Sequence, residues 1–343
     1  PPRRLARHTG HFAVHVEQLA FVEAKAFNDI LEGVGVHRLL ECLTQEILTA
    51  FRIGEMAIDR QHDVVGDKAF GGREKYEIAL DGAALILGAS SGFGEAISLE
   101  LARRGMDIFG VHLDRRSTMP NVERIVSEIR ALGRKAVFFN ANAADEAKRK
   151  DVADHVARET EGQKSPRVRV LVHSLAFGTL RPFVPPSGGG TDLIGKPHLD
   201  MTCDVMAHSL LYWVQDLLSR GLLDAGSRIF AMTSSGGHRV IAQYGAVSAA
   251  KAALESHIRQ LAFELAPRGI TANALCAGVT DTPALRKIPG NEEMLRIATA
   301  RNPSHRLTTP QDVAASVALL SHPLSGWVTG NVINCDGGED ISG

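Results

Sequence analysis

From Ala83 onward, short apolar runs alternate with segments of helical periodicity, and this alternation constrains the chain more than any other feature. The runs fall at 83–87, 107–112, 135–140, 168–173, 227–233, 270–276 and 331–335. Helical patterns occupy 93–104, 120–132, 145–159, 204–219, 246–265 and 310–320 between them. Strands separated by helices cannot pair as hairpins, so the sheet they form is parallel and covered on both faces. Right-handed crossovers make it doubly wound. The expected fold is therefore α/β, a doubly wound seven-stranded parallel sheet with helices on both faces. Two stretches, 174–199 and 277–305, carry no regular pattern; the first holds Pro182, Pro185, Pro186 and the run Ser187–Gly190. Each follows the carboxyl end of a strand, where open sheets bind ligands, and loops of that length in a compact domain are usually functional.

Residues 1–80 differ in character and are expected to be an N-terminal extension, poorly ordered or accessory, ahead of a catalytic domain at 81–343. Two amphipathic helices are expected there, one with Leu19, Val22, Ala26 and Ile30 on one face, the other with Leu40, Leu43, Ile47 and Phe51. Five scattered histidines (His8, His11, His15, His37, His62) read as surface groups, and no metal site is expected. Arg3, Arg4 and Arg7 make a basic start, but acidic residues from Glu17 and the lack of an apolar stretch do not fit a targeting segment.

Composition narrows the function classes. With 38 basic and 39 acidic residues the formal net charge is −1, which gives no global attraction to nucleic acid or anionic lipid. Aromatic residues, at 5%, are too few for base-stacking surfaces. The chain has no run of about 18 apolar residues, so no span of a bilayer is expected. Cys42, Cys203, Cys276 and Cys335 form no CxxC pair and read as free thiols in a reducing, cytoplasmic compartment.

The first strand runs into Gly88-Ala89-Ser90-Ser91-Gly92-Phe93-Gly94. Glycines there permit a tight turn, close backbone approach to a pyrophosphate and close helix–strand packing. The following helix offers unsatisfied N–H groups and its positive dipole end. Cofactor choice rests at the end of the second strand, at His112-Leu113-Asp114-Arg115-Arg116. Asp114 could hold a free ribose 2′-hydroxyl, while Arg115 and Arg116 could clamp a 2′-phosphate. The reading leans to NADPH and leaves NADH open.

Tyr244 and Lys251 carry the chemical argument. Seven residues rotate an α-helix by about 700°, so both side chains lie near one face, two turns apart. A free phenol, with pKa about 10, is a poor acid–base group at neutral pH. A nearby ammonium is expected to lower that value toward the working range.

These motifs together resemble the short-chain dehydrogenase/reductase family, over about residues 82–340. The spacing GxxxGxG is similar to its glycine loop. Asn273-Ala274-Leu275-Cys276-Ala277-Gly278 resembles its NAxxxG turn, and Asp336-Gly337-Gly338 its C-terminal DGG. Tyr-x6-Lys, in place of the commoner Tyr-x3-Lys, resembles the enoyl-acyl-carrier-protein reductases within it, as does Val172-His173-Ser174-Leu175-Ala176-Phe177. The ordinary glycine loop, and Ser234 ahead of Tyr244, resemble the NADPH-dependent type of that branch.

The resemblance implies a Rossmann fold. It also implies NAD(P)H-dependent reduction of the trans-2 double bond of an enoyl thioester, as in fatty acid biosynthesis, with the substrate on acyl carrier protein or CoA. Tyr244, Lys251 and Ser234 would be catalytic. Asn142, Ser174, Leu175, Gly278, Val279, Thr280 and Thr282 would join Gly88, Ser90, Ser91, Gly92, Phe93, Gly94, His112, Asp114, Arg115 and Lys251 around the cofactor. Phe177, Leu285 and Ile288 would face substrate, the latter two in a lid running on through Met294, Leu295 and Ile297, whose apolar spacing equally suits a core helix. A homotetramer built on the helices at 204–219 and 246–265 would follow. A carbonyl or β-ketoacyl reductase of the same family, and a non-catalytic NAD(P)-binding sensor, are the other readings. Because the motifs all lie beyond residue 80, a chain of residues 81–343 is expected to bind NADPH as the full chain does; loss of binding by that folded, shortened chain would overturn the division.

Overall fold

The computed structural model describes residues 78–343 except 188, 190, 191, 289 and 343. The two helices expected within 1–80 lie outside the described residues. Seven strands form: β1 (Ala83–Leu87), β2 (Asp107–His112), β3 (Ala136–Asn140), β4 (Val168–His173), β5 (Arg228–Ser234), β6 (Thr271–Ala277) and β7 (Val332–Cys335). All pair in parallel in the order β3-β2-β1-β4-β5-β6-β7. The order reverses between β1 and β4, which opens a crevice at their carboxyl ends.

The strands are near-continuous apolar runs because both faces are covered. All five residues of β1 are buried. The helices are α1 (Gly92–Arg103), α2 (Met119–Ala131), α3 (Glu146–Glu159), α4 (Lys196–Cys203), α5 (Ser209–Ser219), α6 (Gly245–Leu265), α7 (Asn291–Arg301) and α8 (Pro310–Ser321). One core gathers Leu85, Leu87, Trp213, Leu254 and Ile258; the other gathers Ile86, Ile97, Phe230, Leu275 and Val317. Alternate residues of β1 thus serve opposite faces, as the period of two requires. No described helix is long and apolar enough to cross a membrane.

Two differences from the sequence reading concern the loops. The stretch 277–305 contains α7. Its first turn carries Glu292 and Glu293 and its last turn Arg301, charges that complement the helix dipole. Only Ala298 is fully buried, so the apolar stripe that would announce a helix is thin. The stretch 174–199 ends in α4, which continues through a π-helical turn at Asp204–His208 into α5. There the Ser209 hydroxyl donates to the Val205 carbonyl at 2.8 Å and contacts His173 Nε2 at 2.9 Å.

Trp213 of α5 is fully buried, and its Nε1–H donates to the Ala143 carbonyl at 2.9 Å, tying α5 to the turn after β3. Trp213→Ala is expected to cost about 3–5 kcal/mol of stability, read as a lower urea midpoint.

Candidate active site

The loop after β1 is built by contact distance. A Cβ at Gly88 would lie 2.3 Å from the Ser174 carbonyl oxygen, and one at Gly94 would lie 2.0 Å from the Gly88 carbonyl oxygen. Only hydrogen fits at either point. Gly88 also has φ +90°, a left-handed region that side chains avoid. The Ser174 N–H donates to the Leu87 carbonyl at 2.8 Å, so β1 and β4 remain stitched beyond their last paired residues. Ser91 is the residue before α1, and its side chain makes no capping hydrogen bond to that helix. The helix N-terminus therefore retains donors for an anion. Gly92 faces the Thr282 methyl, 3.6 Å from where its Cβ would stand, which brings the loop after β6 onto the glycine loop. A cradle that a Cβ would fill, open donors and a crevice at the switch point fit a dinucleotide.

At the end of β2, His112 is buried and its Nδ1 contacts Asp114 Oδ2 at 2.9 Å. Burial opposes the ionised form of Asp114, but hydrogen bonds from Ser90, Thr118 and His112 together hold the carboxyl below its ordinary value. Asp114 is fixed further through Asn140, whose side chain bonds both the Asp114 N–H and its carbonyl, at 3.1 and 2.9 Å. Arg115 and Arg116 are exposed. Asn142 is exposed and its Oδ1 accepts from the Ala144 N–H at 3.0 Å, in the turn leading to α3.

The ends of β4 and β5 meet the start of α6. Lys251 is only 5% exposed, and its ammonium donates to the carbonyls of Met232 at 2.7 Å and Leu175 at 3.5 Å. Burial pushes its pKa down to about 8, with Glu255 and Cys276 opposing the fall. Tyr244 immediately precedes α6. Burial pushes its phenol above the ordinary value, and a hydrogen bond with Ser234 offsets part of the rise. The expected lowering by Lys251 does not arise, because burial outweighs what opposes it. Ser234 Oγ also accepts from the Gly236 N–H at 3.0 Å. His173 is wholly buried, and burial followed by the Lys251 charge pushes it down to about 3, so it is neutral.

The turn after β6 is clasped by the C-terminal residues. Glu339, 2% exposed, accepts from the Val279 N–H at 2.9 Å and pairs with Arg301 at 3.1 Å. A Cβ at Gly278 would lie 2.4 Å from Thr308 Oγ1 and 2.8 Å from Glu339 Oε2. Thr280 and Thr282 are buried; Thr280 Oγ1 donates to the Gly278 carbonyl at 2.9 Å, and Thr282 Oγ1 accepts from the Leu285 N–H at 3.2 Å. Leu285 and Ile288 are half-buried.

Several contributors were not visible in sequence. Glu339 and Arg301 come from opposite ends of long segments, with no local pattern to join them. Asn121 of α2 donates to the Ser90 carbonyl at 2.7 Å and to Glu95 at 3.0 Å, bracing the glycine loop. Phe183 packs its ring over Gly245, where a Cβ would meet it at 2.5 Å; it and Phe177 are both largely exposed. The aromatic group beside the Tyr244 turn is thus Phe183.

Residues 88–339 match the family described as Enoyl-(Acyl carrier protein) reductase. The chain belongs to that family, within the short-chain dehydrogenases/reductases. It is accordingly an NAD(P)H-dependent oxidoreductase. The 1-cyclohexenylcarbonyl-CoA reductase of Streptomyces collinus is 29% identical over 259 residues, covering 75% of this chain and 86% of the relative. The NADH enoyl-acyl-carrier-protein reductase of Escherichia coli is 28% identical over 214 residues, covering 61% and 80%. Among solved structures, a short-chain dehydrogenase from Burkholderia cenocepacia in complex with NADP is similar with a TM-score of 0.63 and 28% identity, over 76% of this chain and 98% of that one.

The reductase fold makes the Gly94 contact a direct test of the cradle. Gly94→Ala must move the Gly88 carbonyl, and is expected to weaken NADPH binding at least about tenfold, about 1.4 kcal/mol, with unchanged circular dichroism. Fluorescence titration reads it, and wild-type affinity in that variant would contradict the assignment of the loop.

Proposed function

We propose that the chain reduces the trans-2 double bond of an enoyl thioester, carried on acyl carrier protein or CoA, using NADPH in preference to NADH. The observation that carries this reading is the Tyr244 phenol, hydrogen-bonded to Ser234 and held protonated by burial, seven residues ahead of a buried Lys251. The Streptomyces relative, named for a CoA-linked reductase, supports the substrate class.

When bound, the reduced nicotinamide supplies the hydride that adds to the substrate β-carbon. Gly88, Ser90, Ser91, Gly92, Phe93 and Gly94 would lie along the pyrophosphate. His112, Asp114, Arg115 and Asn142 would lie at the adenosine end. Ser174, Leu175, Lys251, Gly278, Val279, Thr280 and Thr282 would surround the nicotinamide ribose and ring. Tyr244 donates a hydrogen bond to the thioester oxygen as enolate charge develops there, an oxyanion-stabilising role, and the enolate then takes a proton from water at its α-carbon to give the saturated thioester. Ser234 orients that phenol. Lys251 holds the ribose hydroxyls and adds positive field. Phe177, Leu285 and Ile288 cover the acyl chain, joined by Phe183.

NADPH is favoured on this reading because Asp114 already serves Ser90, Thr118 and His112, while Arg115 and Arg116 are exposed and would be free to meet a 2′-phosphate. The enzyme would work in the cytoplasm, in fatty acid biosynthesis, as a homotetramer through the outer faces of α5 and α6. Crotonyl and acetoacetyl thioesters with NADPH and NADH test the reading. Turnover of the crotonyl thioester is expected, and Tyr244→Phe is expected to lower kcat about 10²–10³-fold with NADPH affinity retained. Turnover of the keto thioester alone would mark a carbonyl reductase, and cofactor binding without any turnover would mark a sensor.

A further inference from the structure

The ammonium of Lys251 is nearly sealed from solvent, and both its hydrogen-bond acceptors are neutral carbonyls. A buried charge met only by dipoles is costly unless an opposite charge lies near. Glu255 stands one turn further along α6, on the same helix face. It is fixed from the sheet side: the Thr233 hydroxyl of β5 donates to Glu255 Oε1 at 2.6 Å. The turn after β5 packs between the two residues. A Cβ at Gly237 would lie 3.2 Å from Glu255 Oε1 and 3.5 Å from Lys251 Cβ.

The other titratable groups facing Lys251 carry no negative charge at neutral pH. His173 of β4 is a neutral imidazole, pushed down to about 3. Cys276 of β6 is a thiol, pushed up to about 12 by burial and nearby carboxylates. Tyr244, at the start of α6, is a protonated phenol. Among the described residues, Glu255 is the carboxylate whose charge opposes the lowering of the Lys251 pKa, and it does so through space, without a direct ion pair.

We propose that Glu255, anchored by Thr233, is a positioning residue whose carboxylate keeps Lys251 charged beside the ribose of the bound cofactor. The inference rests on the reading of Lys251 as the ribose-binding group. Its consequence has a definite sign. An ammonium whose pKa is about 8 is charged below that pH and neutral above it. Removing the carboxylate lowers the pKa further, so the charge is lost at lower pH, and cofactor affinity with it.

The test is NADPH affinity by fluorescence on the full chain, from about pH 6 to about pH 9, for wild type, Glu255→Gln, Glu255→Asp, Thr233→Val and Lys251→Met. Wild-type affinity is expected to fall as pH rises through about 8. Glu255→Gln is expected to match wild type at about pH 6 and to fall about one pH unit earlier, making it about fivefold weaker near pH 8 and about tenfold weaker near pH 9. Thr233→Val is expected to shift the same way by less, and Glu255→Asp to restore most of the profile. A purely structural role would weaken binding equally at every pH. Lys251→Met is expected to be weak and flat throughout. A wild-type profile in both Glu255→Gln and Thr233→Val, with binding lost in Lys251→Met, would overturn the role of Glu255 and leave that of Lys251 standing. A wild-type profile in Lys251→Met would overturn both. If Glu255→Gln does not fold, Thr233→Val and Glu255→Asp decide the question.

Discussion

The site depends on the parallel pairing of β1 with β4. These neighbours in the sheet are separated in sequence by two helix-linked strands, and past their last paired residues the chains diverge to opposite faces. The Ser174 N–H still donates to Leu87 there, so the two loops leave the sheet almost touching. The 2.3 Å that a Gly88 Cβ would leave to the Ser174 carbonyl is the measure of that closeness. Because the loops start together, the groups they carry stay together: Leu175 offers its carbonyl to Lys251, and Ser90 bonds Asp114. The crevice is a consequence of strand order, and the glycines are the residues that the crevice requires.

The neutral composition takes on meaning at this scale. A chain of net charge −1 has no long-range field to draw in an anionic nucleotide, so attraction must be local. The structure keeps its buried charges close to partners. Asp114 is hydrogen-bonded on several sides, Glu339 pairs with Arg301 and a backbone N–H, and Lys251 has carbonyls and Glu255. In a low-dielectric interior each such charge is strong toward whatever approaches it. Arg228 is the contrast: buried, pushed down by burial and by Arg169, and, among the described residues, donating only to the Ser227 carbonyl. It lies at the opposite end of β5, where no ligand group is expected.

The strands were legible because each is an apolar run buried on both faces, and the six long helices because their stripes repeat. The glycine loop was legible because close approach leaves a residue-type signature. What the sequence did not reveal has one physical character. Glu339 and Arg301, Thr233 and Glu255, and Phe183 and Gly245 are partners across loops, and no periodicity links residues whose contact exists only after folding. Helix α7 escaped for a related reason: with only Ala298 fully buried, its amphipathic signal is weak, and its ends are defined by charge and by neighbouring Gly290 and Pro303. Spacing alone does not give the direction of the Tyr244 shift. Two turns of helix bring Lys251 to the same face, but burial of the phenol, which no spacing reports, governs it.

That shift bears on the direction of the chemistry. A phenol pushed above its ordinary pKa keeps its proton through the neutral range. It is suited to donate a hydrogen bond to an oxygen that gains charge, as the thioester oxygen does on the proposed reading. Oxidation of an alcohol asks the opposite of the same residue, since the phenolate must then accept a proton, and a raised pKa disfavours that base. A phenol that keeps its proton suits Tyr244 as the donor on the proposed reading, with Ser234 beside it to orient that donor.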